Sequence, residues 1–285
     1  MFQYLLPWDF SPTVFGTVLV LAVLFGRGAA QLRAPFHQRL KFFLGLLLVY
    51  AALQTQWDYY AGHMFFVHRL QHLVLHDVGP FLLAWSAPAA ALGQGLPAAM
   101  RTRLERWYQS AGMCRWRHVI FDPGTATVLF IGSLCLWVWP PLHFYAMLSN
   151  WVYRLMNWSV IIVDLPFWWI VLDPRPYPQA RLSYGKRILM VVLVMLPMML
   201  VGAIIGLSRH DLYPVYELCG RFLPISPITD QQIGGMIIWI PGSLLGVFAA
   251  LIALARLLEQ SRQQELAARQ AKVGAAKVGA IERPA

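Results

Sequence analysis

Charge is scarce in this chain. Asp, Glu, Lys and Arg together make up 13% of its 285 residues, about half the share that soluble domains carry. Acid is the scarcer sign, with 13 Asp and Glu against 23 Lys and Arg. These shortages exclude a disordered chain and an ordinary water-soluble domain. Cysteine is sparse as well: Cys114, Cys135 and Cys219 are too few for a disulfide framework and lack the CxxC spacing of a zinc site. No internal repeat and no pair of broken helices is evident, which argues against a transporter built from inverted repeats. Nor does any nucleophile stand with its base, or three ligands with the spacing of a catalytic metal, so the chain does not read as an enzyme.

What is abundant is apolar surface, at 58% hydrophobic residues. A helix crossing a bilayer needs roughly 20 mainly apolar residues. Seven segments centre on such runs: 13–25, 40–53, 64–83, 126–138, 152–172, 188–207 and 233–257. The expected fold is all-α, a polytopic membrane bundle of seven transmembrane helices over residues 1–258, with a charged cytoplasmic tail at 259–285. Met1–Pro12 lacks the basic start and small-residue cleavage site of a secretory leader, so the first span reads as a permanent anchor. Of the 23 basic residues, 19 fall in the first, third and fifth connections and in the tail. Positive charge collects on the cytoplasmic side, which predicts an outside N-terminus and a cytoplasmic C-terminus. The same spread of charge over every inner loop removes nucleic acid as a partner and leaves membrane lipid. Trp57, Tyr59, Tyr60, Trp137, Trp139, Trp168 and Trp169 lie near span ends and read as interfacial anchors.

The third span carries the specific chemistry. His68, His72 and His76 follow at i, i+4 and i+8, turning only about 40° per step around a helix axis. Small Gly79 and Ser86 share their stripe, which predicts a face turned toward neighbouring helices. Two imidazoles one turn apart can reach one ion, and ionisable side chains at membrane depth are costly and mark function. His63 at the outer boundary, His143 in the next outer loop and the MLPMM run of span 6, with Met195, Met198 and Met199, could complete a site. Imidazole with thioether suits copper, above all the cuprous ion. His63, His68, His72, His76 and Met199 are the candidate metal ligands; buried core histidines and gap-filling methionines are the competing reading. Haem is the other cofactor to weigh, but no second histidine-bearing span offers its other axial ligand. Asp77 and Asp164 lie at membrane depth and read as hydrogen-bonding partners of neighbouring helices. Gly242 and Gly246 form a GxxxG close-packing signal. The long outer connection from Ser208 to Gly235 is rich in Pro and aromatic residues and reads as an ordered cap.

His68-Arg-Leu-Gln71-His72 followed by Gly79-Pro80 and Ala87-Pro88 resembles the HMxQH…P…GAP signature of the seven-helix, CtaG-type cytochrome c oxidase assembly factors associated with caa-type oxidases. The resemblance continues through Phe167-Trp168-Trp169, through Ser208-Arg209…Leu212-Tyr213-Pro214…Tyr216, and through Asp230-Gln231-Gln232…Gly235…Trp239-Ile240-Pro241-Gly242, in the same order over residues 62–256. It implies a multi-pass protein of the bacterial inner (plasma) membrane. Such a protein assists cytochrome c oxidase assembly as copper enters the oxidase core subunit, with a copper chaperone as a further possible partner. His68, Gln71, His72 and Asp230 carry over directly. One position departs: the family pattern has a Glu-His pair early in span 5, where this chain has Met156 and Asn157. A metal-free chaperone of the oxidase and a metal or proton transporter are the alternatives.

Overall fold

The computed structural model describes residues 9–281, with side chains described through residue 270. Most of Met1–Pro12, where a leader was considered, and the last residues of the charged tail lie outside the described part. The described chain is all helical, without strands. Five helices are long and apolar enough to cross a membrane: α1 (Pro12–Gln31), α2 (Phe36–Gln54), α11 (Asn150–Leu172), α12 (Tyr184–Leu207) and α14 (Pro227–Ile281), whose qualifying part is Pro227–Gln270. Two bent pairs bring the number to seven if each pair is one span. The first pair is Phe65–Trp85 with α6 (Ala89–Gly95), bent by 74°, and the second is α8 (Ala111–Ile120) with α9 (Pro123–Val138), bent by 62°. Between α6 and α8 lies α7 (Ala98–Tyr108). Short helices α3 (Gln56–Ala61), α10 (Pro140–Leu148) and α13 (Val215–Cys219) close one end, so the connection after α12 is an ordered cap. The last helix runs straight on through the charged stretch after Leu258.

The stretch Phe65–Trp85 is not a uniform α-helix. It consists of α4 (Phe65–His72), a π-helical segment Leu73–Val78 and α5 (Gly79–Trp85). Pro80 explains part of the irregularity: without an N–H it cannot serve the carbonyl of His76. The Trp168 indole supplies the missing donor, Nε1 to His76 O at 3.2 Å. Trp168, expected at the bilayer interface, is therefore core, 2% exposed and packed on Phe81 and Phe130. Trp137 is buried likewise, with Nε1 donating to Ser159 Oγ at 3.0 Å. Trp139, at 59% exposure, is free to face lipid. An indole N–H finds a polar partner wherever helices bury it, and span-end position alone does not distinguish these cases.

The sharp bend at Ala87-Pro88 has a backbone cause. Pro88 disfavours the right-handed helical region for its predecessor, and Ala87 takes a φ of 47°. Gln38 of α2 holds the corner, donating Nε2 to Ser86 O at 2.7 Å. The GxxxG pair on α14 meets methionine rather than another glycine face. A Cβ at Gly242 would fall 2.9 Å from Met198 Cε, and one at Gly246 would fall 2.9 Å from Met195 Sδ. The missing side chains are thus the sockets that seat the methionines of α12.

Candidate functional site

The histidine pair is anchored from both ends of its helix. The first N–H groups of α4 have no partner within the helix, and Met64, at the cap position, supplies none. Asp230, fully buried on α14, accepts from Phe65 N at 3.0 Å and Phe66 N at 2.8 Å. Arg221 of the cap balances this carboxylate, its Nε 3.2 Å away. One turn further along α4, Gln71 donates Nε2 to Ala52 O and to Asp58 Oδ1, both at 2.7 Å. The Tyr153 hydroxyl of α11 lies 2.7 Å from the same Asp58 oxygen and 3.1 Å from Gln71 Oε1. The polar residues around the pair thus act as scaffolding, which position in the sequence does not reveal.

His68 and His72 do face inward together, their rings 4.5 Å apart. Nε2 of His72 has no hydrogen-bond partner among the described residues, and His68 meets only the backbone of Ala61. Buried polar nitrogens without partners are rare and ask for an explanation, an ion or a water among them. His143 of α10 packs edge-on at 5.0 Å from His68, and its own nitrogens are committed. Nδ1 lies 3.1 Å from Trp137 O and Nε2 lies 2.9 Å from Tyr216 Oη. A carbonyl only accepts, so Nδ1 carries the proton and Nε2 accepts from the tyrosine. Burial and the charge of nearby Arg69 hold this imidazole well below its ordinary pKa. His143 is therefore a neutral wall of the site with no lone pair left for a ligand.

His76 lines one small cavity with His72, but its nitrogen is committed elsewhere. The π segment widens the turn before it, so its ring meets Phe130 at 4.4 Å and its Nδ1 lies 2.5 Å from Asp164 Oδ2. Asp164 also accepts from Ser133 Oγ at 3.1 Å. The expected role of Asp164, a bond to a neighbouring helix, is the one observed. A cavity of about 20 Å³, room for about one water, lies between His72, His76, Arg69, Asp77 and Met198. Met198 lines it, whereas the expected Met199 is half-buried and lies outside that lining. A proline within α12, Pro197, and the Gly242 socket decide which of the two neighbours points inward.

His63 lies apart from the pair, in the turn before α4, at the wall of a wider vestibule of about 490 Å³. Asp9, Asp58, Tyr153, Arg154 and Asn157 share that wall. His63 Nδ1 lies 2.8 Å from Tyr59 O, so the proton sits on Nδ1 and Nε2 is left as a lone pair, the arrangement in which backbone carbonyls orient metal-binding histidines. Tyr153 stands between the vestibule and the pair, its ring 6.0 Å from that of His68. Among the described residues no three His, Cys, Asp or Glu side chains come together as a metal cluster.

Arg69 was not singled out by sequence reasoning. It is 2% exposed, its Nε and Nη2 have no hydrogen-bond partner among the described residues, and it lies over the Phe65 ring at 5.1 Å. A fixed positive charge this close to His68 and His72 opposes a second cation, and more strongly a doubly charged one.

The chain matches, over residues 19–260, the model of the cytochrome c oxidase caa3 assembly factor family. That span takes in every element of the site. The chain belongs to this family. Relatives of this assembly-factor chain include uncharacterized proteins of Mycobacterium bovis and Mycobacterium tuberculosis, each 24% identical over 275 residues, covering 90% of this chain and 40% of the relative. A third, from Mycobacterium leprae, is 24% identical over 260 residues, covering 87% of this chain and 38% of the relative. The chain thus spans about two-fifths of the length of these relatives. No solved structure matches it.

Proposed function

We propose that this chain is a multi-pass assembly factor of the bacterial inner membrane that holds a cuprous ion at His68 and His72 and passes it to the cytochrome c oxidase core subunit. The observation that carries the reading is the pair of buried imidazoles facing inward together on consecutive turns, with Nε2 of His72 lacking a hydrogen-bond partner among the described residues. Neutral imidazoles with a nearby thioether suit a soft monovalent ion, and Arg69 weighs against a divalent one. Copper here is cargo. It would be caught at His63 in the vestibule, pass Tyr153 to the pair and leave by exchange of ligands, staying cuprous throughout. Met198 at the inner side of His72 is the thioether placed to help. Two ligands rather than a closed cluster make a site that releases its ion readily.

Competition for cuprous ion against a chromophoric chelator tests this directly. The wild type is expected to withdraw copper from the chelator, and His68→Ala with His72→Ala to weaken that by at least about tenfold, or ~1.4 kcal/mol, at a temperature where both proteins remain folded. Equal competition by both proteins would remove the hand-off. The second reading is a metal-free chaperone of the half-built oxidase, favoured by the Arg69 charge beside the pair. In that case oxidase yield in the double variant follows its loss of stability alone, and added copper restores nothing.

A further inference from the structure

At the end of the bundle away from His63, a groove of about 820 Å³ opens between α7, α8 and α11. One wall is a single stripe of α11: Ile162, Leu165, Pro166, Trp169, Ile170 and Asp173. The spacing keeps these side chains on one helix face, and eleven residues of helix rise about 16 Å. The wall is apolar from Ile162 to Ile170, and Ile162 itself is 64% exposed, so the lower part of the groove opens sideways where α11 crosses the hydrocarbon. Only at Asp173 does it become charged.

Three arginines ring that charged end: Arg117, Arg175 and Arg181. Each is held by the protein with donors to spare. Arg181 gives Nη1 to His118 O and Nη2 to Arg117 O, both at 3.3 Å. Arg117 gives Nη1 to Tyr108 O at 3.0 Å and lies over the Tyr108 ring at 3.7 Å. Arg175 pairs with Asp173 at 2.6 Å. That pair neutralises itself, which leaves Arg117 and Arg181 against Glu105 on the rim and Asp122 beside Arg181. A guanidinium has five N–H donors, and Arg117 and Arg181, each with some left over, line the same groove as the apolar stripe.

The helices that carry the rim lie on a surface. Neither α7 nor α8 buries a single residue, yet Met100, Trp107 and Trp116 are exposed among Arg101, Arg103, Arg106 and Arg115. Short amphipathic helices with aromatic and basic side chains lie in the headgroup plane of a bilayer. Basic pockets at that level, between membrane helices, take the phosphate of acidic lipids.

We propose that this groove is a binding site for one anionic phospholipid, with the phosphodiester headgroup between Arg117 and Arg181 and an acyl chain along the Ile162–Ile170 face of α11. The length of the apolar wall below the two cations selects a lipid over a soluble phosphate. A seated lipid would also tie α7 and α8, which have no core contacts of their own, to the bundle. The site is independent of copper at the other end.

Native mass spectrometry of the intact protein, released from nanodiscs of phosphatidylcholine with phosphatidylglycerol, tests it. The wild type is expected to retain one phosphatidylglycerol at least about tenfold over phosphatidylcholine, undisturbed by inorganic phosphate in the release buffer. Arg117→Gln with Arg181→Gln should abolish the preference. Ala89→Trp, which intrudes on the groove and leaves both arginines, should weaken retention of either lipid. Equal retention of the two lipids by the wild type, displacement by inorganic phosphate, or an unchanged preference in the arginine variant overturns the proposal. The wild-type comparison decides it even if a variant does not fold.

Discussion

At Asp58 two donors converge on one carboxylate oxygen, and the balance between burial and hydrogen bonding can be read from its titration. Burial pushes this carboxyl above its ordinary range, while Tyr153 and Gln71 oppose the rise only in part. A carboxyl raised by folding contributes stability below its unfolded value and loses that contribution as pH rises through the folded one. Asp58→Asn keeps an oxygen for Gln71 and Tyr153 and removes the titration. The variant should therefore gain on the wild type in melting temperature as pH rises from about 4; a difference that does not change with pH would mean Asp58 is not desolvated. Residue by residue, the legibility of the site was uneven. His68 and His72 were visible because helical periodicity alone places them together. His76 follows in the same period, but its pairing with Asp164 and the π turn around it leave no mark on hydrophobic spacing. Met198 and Met199 are chemically identical, so only the packing of α12 on Gly242 could choose between them. Arg69 went unnoticed because a basic residue at a span end usually reaches water, and here the capping loop closes over it.

Among elements, the most extensive pairing is α12 with α14. Gly235 is its closest point, where a Cβ would lie 2.3 Å from Gly206 N and 2.8 Å from Gly202 O. Those are backbone atoms and cannot swing aside. Gly235→Ala must therefore part the two helices. An overpacking cost of about 1–3 kcal/mol should lower the melting temperature in detergent and withdraw Asp230 from the start of α4. Loss of cuprous binding together with that drop would show that α14 positions the histidine pair; binding unchanged at lower stability would show that α4 holds its own geometry. The irregular span of residues 65–85 makes the same point about elements. Its apolar content predicts a helix, but Pro80 and the Trp168 donor to His76 settle where α gives way to π.

For the whole molecule, basic residues at one end predict the way it sits in the membrane. The structure adds a ready test, because its three cysteines are free. Cys114 is exposed on α8, among the arginines, and Cys219 is half-buried in the opposite cap. With the N-terminus outside, a membrane-impermeant maleimide applied to intact cells should leave Cys114 unlabelled until the membrane is opened. Labelling of Cys114 in intact cells would invert the topology and carry the vestibule at His63 to the cytoplasm.

Sequence alone was enough to determine an all-helical chain suited to a membrane, its helical runs, its family signature and an inward pair of histidines. Each of these follows from composition or from a period along one chain segment. Tertiary structure alone decided that Asp230 caps α4, that His143 is already bonded, that His76 joins Asp164, that Arg69 lies buried beside the pair and that arginines close an apolar groove. Every one of those facts joins segments far apart in sequence, and one-dimensional periodicity carries no information about which distant groups satisfy a buried donor or charge.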